Sequence, residues 1–495
     1  MKAITIVGGG SAGWMTAATL IKFFPNKKIT VIESPDVPTV GVGESTLHQF
    51  TKWCELLEID EKKFLKETDG TYKLSIKFTD FYKKGKSFHY PFGIPDETEV
   101  SAGINSWWLA KLKNPKKLNS SYVETFYPQM HYVNNNKFSD KLPYAFHFDS
   151  SKFGKWLKDN YCIPRGVKYI KEHVEDIQQD ENGIVSLNKK HKADLYIDCT
   201  GFKSLLLGET FKEPFESYSE MLPNDSAWAT RLPYKNKKTE IVSYTNCTAI
   251  QNGWVWRVPL WSKIGTGYVY SSKFIDDDNA LKQFKKYLGV KNLQFKKIKS
   301  KVGIYKRLWV KNVCAIGLSA GFIEPLEGNG LFSVHEFLIN LVRNLRRNKV
   351  SQFDKDNFNF FCREVFDNFA EFVALHYALS HRDDTPYWKS ILNTQWSETM
   401  LNRLPKLGDG IDSAVRNRAF GFQHSSMGGL HCIAAGMDWS PTDEISLLRY
   451  NSKKQLETIL KRALIEVDCK HGKNNNVDLK KEKNLFNYLK EIHTI

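Results

Sequence analysis

Gly8, Gly10 and Gly13 stand at G-x-G-x-x-G spacing directly after an apolar run, Ala3 to Val7. A run without polar alternation reads as a parallel strand buried on both faces. After such a strand the first glycine makes the tight turn, the second lets a pyrophosphate approach the backbone, and the third packs helix against strand. Ser11 and Ala12 lie inside the turn, and Trp14 to Phe24 supplies the helix whose N-terminal amides point at phosphates. Glu33 ends a second strand, Lys28 to Ile32, about 20 residues past the last glycine, where an acid bonds a ribose hydroxyl. The pattern calls for a dinucleotide, FAD or NAD.

Two further glycine clusters offer backbone amides. Gly41, Val42, Gly43 and Glu44 lead through Ser45 into a helix near Thr46, which suits an anion or a flavin edge; an ordinary loop with Ser45 as N-cap is the alternative. Later, Val313 to Ile316 reads as a buried strand and Gly317 to Gly321 as a turn. Gly328, Asn329 and Gly330 then open a helix with Leu331, Val334, Leu338, Leu341 and Leu345 at helical spacing. That opening is an anion site by construction, and Glu327 precedes it.

The elements that must position these groups divide unevenly. With 495 residues and 41% hydrophobic content the chain can bury a large core in two or three interleaved units. The expected organisation is a discontinuous nucleotide-binding core (1–50, 149–207 and 300–350), an inserted substrate and tunnel region (51–148 and 208–299), and a helical C-terminal region (351–495). Tyr72 to Asp80 alternates like one strand, with Lys73, Ser75, Lys77 and Thr79 on a single face. On pattern alone that face meets water and Lys77 is a surface lysine. From Phe81 to Tyr144 the chain is aromatic and loop-rich. Between about Glu209 and Ser300 short alternating segments suggest an antiparallel sheet, in which Trp254 and Trp256 share a face. His376 lies on the apolar face of a long helix and reads as a packed histidine.

The net charge of +16 is spread over scattered lysine and arginine clusters, a pattern of solvated faces rather than of a nucleic-acid groove. No run of eighteen apolar residues exists, so neither a membrane span nor a signal peptide is expected and the cytoplasm is the default. The eight cysteines include no C-x-x-C pair and read as reduced thiols, with no metal site.

Taken together, the motifs resemble the flavin-dependent halogenases of the tryptophan halogenase type, from Lys2 to about Trp388. The carrying segments are GGGSAGW at the start, GVGEST at 41–46, SIKF at 75–78, DCTGF at 198–202, GWVWRVP at 253–259, GYVYSS at 267–272 and IEPLE at 323–327. Within them Trp254, Trp256 and Pro259 form the element that separates halogenases from related flavin hydroxylases.

The resemblance implies an α/β fold, an FAD-binding Rossmann-like core of the flavin monooxygenase and halogenase kind. The cofactor would be held by Gly8, Gly10, Ser11, Ala12, Gly13, Glu33, Gly41, Val42, Gly43, Glu44, Gly317 and Leu326. A separate flavin reductase would supply reduced FAD, and oxygen and halide would then yield hypohalous acid. That acid would travel an internal tunnel to Lys77, which hydrogen-bonds it or carries it as a haloamine. Glu327 would polarise the electrophile or take the ring proton.

Halide would rest on amides at Asn329 and Gly330, where the family usually has threonine and glycine. The more flexible loop points to bromide or iodide being accepted at least as well as chloride. In the aromatic region Tyr90 replaces the family's histidine and Phe92 keeps its phenylalanine. Gly421 to Leu430 lacks the acid and tryptophan that grip free tryptophan. An indole, phenol or other electron-rich aromatic is therefore the expected substrate, and a homodimer is compatible with the resemblance. A flavin monooxygenase that hydroxylates its substrate, or a nonenzymatic FAD-fold binding protein, is the alternative.

Overall fold

The computed structural model describes residues 1–36, 44–290, 292–347, 349–394, 427–440 and 452–494. Gly41, Val42, Gly43 and Gly421 to Ser426 lie outside the described residues.

The N-terminal apolar run sits in the middle of a six-stranded sheet. Its order is Trp309–Val310, Val313–Ala315, Leu195–Asp198, Ala3–Val7, Lys28–Glu33 and Lys168–Lys171. All neighbours pair in parallel except the first two strands. Ile4, Ile6, Val31 and Ile197 are fully buried, which is why these strands are apolar on both faces. Gly8 adopts φ +114°, and a Cβ there would sit 2.2 Å from the Cys199 carbonyl oxygen. Only glycine fits that turn. It delivers the chain into helix Ser11–Phe23.

A seven-stranded sheet stands beside it, ordered Lys296–Lys299, Ser226–Leu232, Ile264–Tyr270, Gly253–Pro259, Tyr244–Ile250, Ser75–Thr79 and Ser87–Pro91. It is antiparallel except where Tyr244–Ile250 meets Ser75–Thr79. Segments far apart in the chain thus share one sheet.

The single strand expected over 72–80 is broken at Leu74. Thr71–Lys73 joins a different, three-stranded sheet, pairing with Ala145–Phe148, as does Glu44–Ser45. At the break the amides of Leu74 and Ser75 both donate to the Ser243 carbonyl, at 2.7 and 3.4 Å. The chain turns there, and Lys73 leaves the face that carries Ser75, Lys77 and Thr79.

The C-terminal region contributes helices Gln352–Ala378, Pro386–Leu392, Met427–Gly436, Lys453–Asn475 and Leu485–Thr494. The polar stretch around Lys473 and Asn474 is the end of the long helix Lys453–Asn475. Asn474 is buried there and its side-chain amide donates to the Thr125 carbonyl at 2.6 Å. Seven cysteines are buried and Cys469 is exposed, all as free thiols. Among the described residues no helix is long and apolar enough to cross a membrane.

Candidate active site

A cavity of about 610 Å³ begins at Gly8, Gly9, Gly10, Ser11 and Ala12, passes Glu33, Thr200, Gly201 and Gly317, and ends among Trp254, Trp256, Glu324, Glu327, Gly328 and Gly330. Its first end fits a dinucleotide. A Cβ on Gly10 would meet no atom within 4 Å, so open space faces the turn. Glu33 lies over Gly9 and keeps a buried Oε2 without a hydrogen-bond partner. An unpaired acceptor of this kind is costly unless a hydroxyl fills it. Gly13 stands behind the wall, where a Cβ would be 1.9 Å from the Gly8 carbonyl oxygen. Glu44 belongs to the short strand Glu44–Ser45. Leu326 is buried outside the wall, and its carbonyl accepts a hydrogen bond from the Asn329 side chain at 2.9 Å.

Trp254 and Trp256 alternate on one strand and so face the cavity together, ring centroids 6.2 Å apart. A Cβ on Gly267 of the next strand would lie 2.0 Å from the Trp256 ring, so that glycine is what lets the indole lie flat. Pro259 is outside the wall and gives its carbonyl to the Thr71 hydroxyl at 2.6 Å.

Glu327 is buried with φ +69°, the left-handed region that a glutamate rarely occupies. Such strain persists only where the surroundings enforce it, commonly at functional sites. Its Oε1 lies 2.9 Å from His376 Nε2, and its Oε2 is buried without a partner. His376 does pack, against Phe78 at 4.7 Å, but that packing also aims its second nitrogen at the glutamate. Gly328, at φ +66°, presses on Ser45, whose carbonyl oxygen would be 2.3 Å from a Cβ. Asn329 turns its side-chain amide back onto the carbonyls of Glu324 and Leu326, at 2.6 and 2.9 Å, and so braces the loop from outside the cavity. Gly330 begins helix Gly330–Leu345 at the cavity wall.

The structure does not bring Lys77 to Glu327. Ile76 lines the cavity and Phe78 touches His376, so Lys77, between them, projects from the opposite face of the strand. There it is half-buried, with its ammonium 5.9 Å from the Tyr244 ring centroid. Burial, with the Lys77 charge adding to it, holds His89 down at about 3.

Lys73, on the other side of the break, turns inward instead. It is fully buried, donates to Ser45 Oγ at 2.7 Å and to the Thr46 carbonyl at 2.9 Å, and lies 5.1 Å from the Phe92 ring centroid. Burial lowers its pKa to about 7, against the opposing pull of the Glu327 charge and then of Cys247. Tyr90 is buried beside Phe92, and a Cβ on Gly429 would be 2.8 Å from its ring, so helix Met427–Gly436 closes over it.

Two other groups escaped the sequence reading. Glu324 lines the cavity, receives hydrogen bonds from Asn224 at 2.7 Å and from the Tyr377 hydroxyl, and is pushed up by burial to about 7. Cys247 also lines the cavity, and burial pushes its thiol up.

A nucleotide cavity that opens from a glycine turn and ends at paired tryptophans and a strained glutamate, with a buried lysine one hydrogen bond behind its wall, defines a flavoprotein built to use its cofactor against a second, enclosed site. The tryptophan halogenase family model matches residues 3–450, and the chain belongs to that family. It is 32% identical over 438 residues to the tryptophan 6-halogenase SttH of Streptomyces toxytricini, spanning 81% of this chain and 83% of that protein. It is 30% identical to the tryptophan 7-halogenase RebH of Lentzea aerocolonigenes, over 83% of this chain and 81% of that one. Among solved structures, that of VirX1 without ligand matches at 35% identity and TM-score 0.86, covering 99% of this chain and 98% of that chain. The protein is a flavin-dependent halogenase that uses FAD and halide on an aromatic substrate and draws reduced flavin from a reductase.

Proposed function

We propose that this enzyme halogenates an indole- or phenol-type aromatic rather than free tryptophan, with Lys73 as the amine that receives the electrophile and Glu327 as its acid-base partner. The carrying observation is the burial of Lys73 one hydrogen bond behind the cavity wall, at Ser45, and within reach of the Glu327 charge. Bound FAD, once reduced, supplies the oxidation of halide to hypohalous acid by oxygen.

The chain's residues do the rest. Gly8 to Ala12 and Glu33 hold the nucleotide; Gly41, Val42, Gly43 and Glu44 are the proposed contacts toward the flavin. The amides at Asn329 and Gly330 hold halide, and the site accepts bromide or iodide at least as well as chloride. Trp254 and Trp256 wall the passage, which keeps an indiscriminate oxidant from bulk water. Near neutral pH Lys73 populates both ammonium and amine, so it can hydrogen-bond the oxidant or take the halogen on nitrogen. Glu327 Oε2, unpartnered, is free to accept the proton released from the ring. Phe92 and Tyr90 are the proposed substrate-pocket residues, aromatic rings of a kind that suits a flat electron-rich substrate.

The enzyme works in the cytoplasm, on a small molecule rather than nucleic acid, as a homodimer. The test is incubation with a flavin reductase, oxygen, and equal chloride, bromide and iodide, against a panel of indoles and phenols and free tryptophan, read by mass spectrometry. Brominated or iodinated indoles or phenols support the reading. A gain of one oxygen would make the enzyme a hydroxylase, dominant chlorination would overturn the halide assignment, and preferred turnover of tryptophan would overturn the substrate class.

A further inference from the structure

A hydrogen-bonded chain with only one internally consistent direction connects Lys73 to a buried histidine. Lys73 Nζ donates to Ser45 Oγ at 2.7 Å; Ser45 Oγ and Thr245 Oγ1 are 2.7 Å apart; Thr245 Oγ1 and His147 Nε2 are 2.8 Å apart; His147 Nδ1 and Thr71 Oγ1 are 3.2 Å apart. The far end settles the direction. Thr71 Oγ1 spends its hydrogen on the Pro259 carbonyl at 2.6 Å, and a carbonyl only accepts. Thr71 must therefore accept from His147 Nδ1–H. In the neutral ring Nε2 is then a lone pair, so it accepts from Thr245, Thr245 accepts from Ser45, and Ser45 is left with lone pairs alone for Lys73. His147 is fully buried, and burial followed by the Lys73 charge holds it well below its usual range, hence neutral.

We propose that His147, acting through Thr245 and Ser45, is the positioning residue that keeps Ser45 an acceptor and thereby orients the Lys73 amine. With Ser45 and the Thr46 carbonyl each taking one N–H, a neutral Lys73 has its lone pair confined to the directions left over by tetrahedral geometry. Were the Ser45 hydroxyl free to turn, it would donate to that lone pair and mask the nucleophile. Ser45 and Thr245 both line the cofactor cavity, so the same two hydroxyls form the partition between flavin site and amine. The charged and titratable groups facing Lys73 are Glu327, from the loop before helix Gly330–Leu345, and Cys247, from strand Tyr244–Ile250; Lys73 itself faces His147. None of them replaces the direction imposed by the Pro259 carbonyl.

The inference rests on Lys73 being the reactive amine, but its test reads the amine without turnover. Protein labelled with 13C at the lysine ε carbon is titrated by NMR, with Lys73→Met assigning the resonance. Thr245→Val, nearly isosteric, should free the Ser45 hydroxyl and stabilise the neutral amine, moving the Lys73 midpoint to lower pH by about half a pH unit or more. His147→Phe should move it the same way, and Thr245→Ser should restore the wild-type midpoint. A Thr245→Val midpoint equal to that of wild type, with the fold intact by circular dichroism, overturns the proposal. If Lys73→Met halogenates as well as wild type, the functional reading fails instead, and the titration still judges the relay.

Discussion

His376 and Glu327 face each other across 2.9 Å with one proton between them. His376 Nδ1 lies 3.2 Å from the carbonyl oxygens of Phe372 and Val373, which only accept, so Nδ1 carries a hydrogen. The contact at Nε2 is then either imidazolium to carboxylate or carboxylic acid to imidazole. Glu327 Oε2, the other carboxylate oxygen, is buried without a hydrogen-bond partner.

Replacing His376 by phenylalanine removes that sharing and leaves a buried carboxylate without its partner. The kcat of halogenation should fall by about 10- to 100-fold, the scale of a lost acid-base group. An unchanged kcat would show that Glu327 acts without the histidine.

Lys73 and Lys77 give opposite outcomes. Lys73→Met should lower haloaromatic formation by about 100-fold or more, while oxidised halide still leaks and is captured by a diffusible trap. Lys77→Met, on the outer face, should stay within about threefold of wild type. Equal losses in the two variants would contradict the assignment.

The depressed pKa of Lys73 also marks stability. The unfolded lysine holds its proton up to about 10.5 and the folded one only up to about 7. Between those values the unfolded state binds more protons, so wild-type stability rises with pH; below about 7 the cost of burial is fully present. Lys73→Met lacks this slope. Denaturant midpoints at pH 7 and 9.5 should therefore change less in the variant than in wild type, and parallel shifts would disprove the buried ammonium.

Two glycines of the nucleotide turn separate fold from cofactor. Gly8→Ala places a Cβ against the Cys199 carbonyl at a positive φ and should lower the melting temperature. Gly10→Val meets only open space, so the flavin-free protein should melt as wild type does while FAD affinity drops at least tenfold by flavin fluorescence titration. Undiminished FAD binding in Gly10→Val would remove that glycine from the cofactor site.

The strand, turn and helix around Gly8 are legible in the sequence because each signal is local: an apolar run, a glycine spacing, an acid at a set offset. The tryptophan pair is legible for the same reason, since alternation places Trp254 and Trp256 on one face. Lys73 was hidden by a break. Period-two alternation continues through Leu74 on paper, whereas the two amides there converge on Ser243, a residue 169 positions from Leu74. The SIKF segment holds Lys77, the lysine after the break, whereas the lysine buried at Ser45 is the one before it. The apolar helix face makes His376 a packed ring, but no local pattern records that its other edge meets a glutamate 49 positions earlier. The relay through Ser45, Thr245 and His147 joins hydroxyls up to 200 positions apart and exists only once the sheets assemble.

The cysteine distribution bears on how long such an enzyme lasts. An enzyme that makes a thiol-reactive oxidant endangers itself first, and Cys247 lines the same cavity as Trp254, Trp256 and Glu327. Burial keeps its sulfur protonated, the form least able to attack an electrophilic halogen. The cavity wall therefore presents its sulfur in the less nucleophilic form, which is the form that best survives beside an electrophilic halogen.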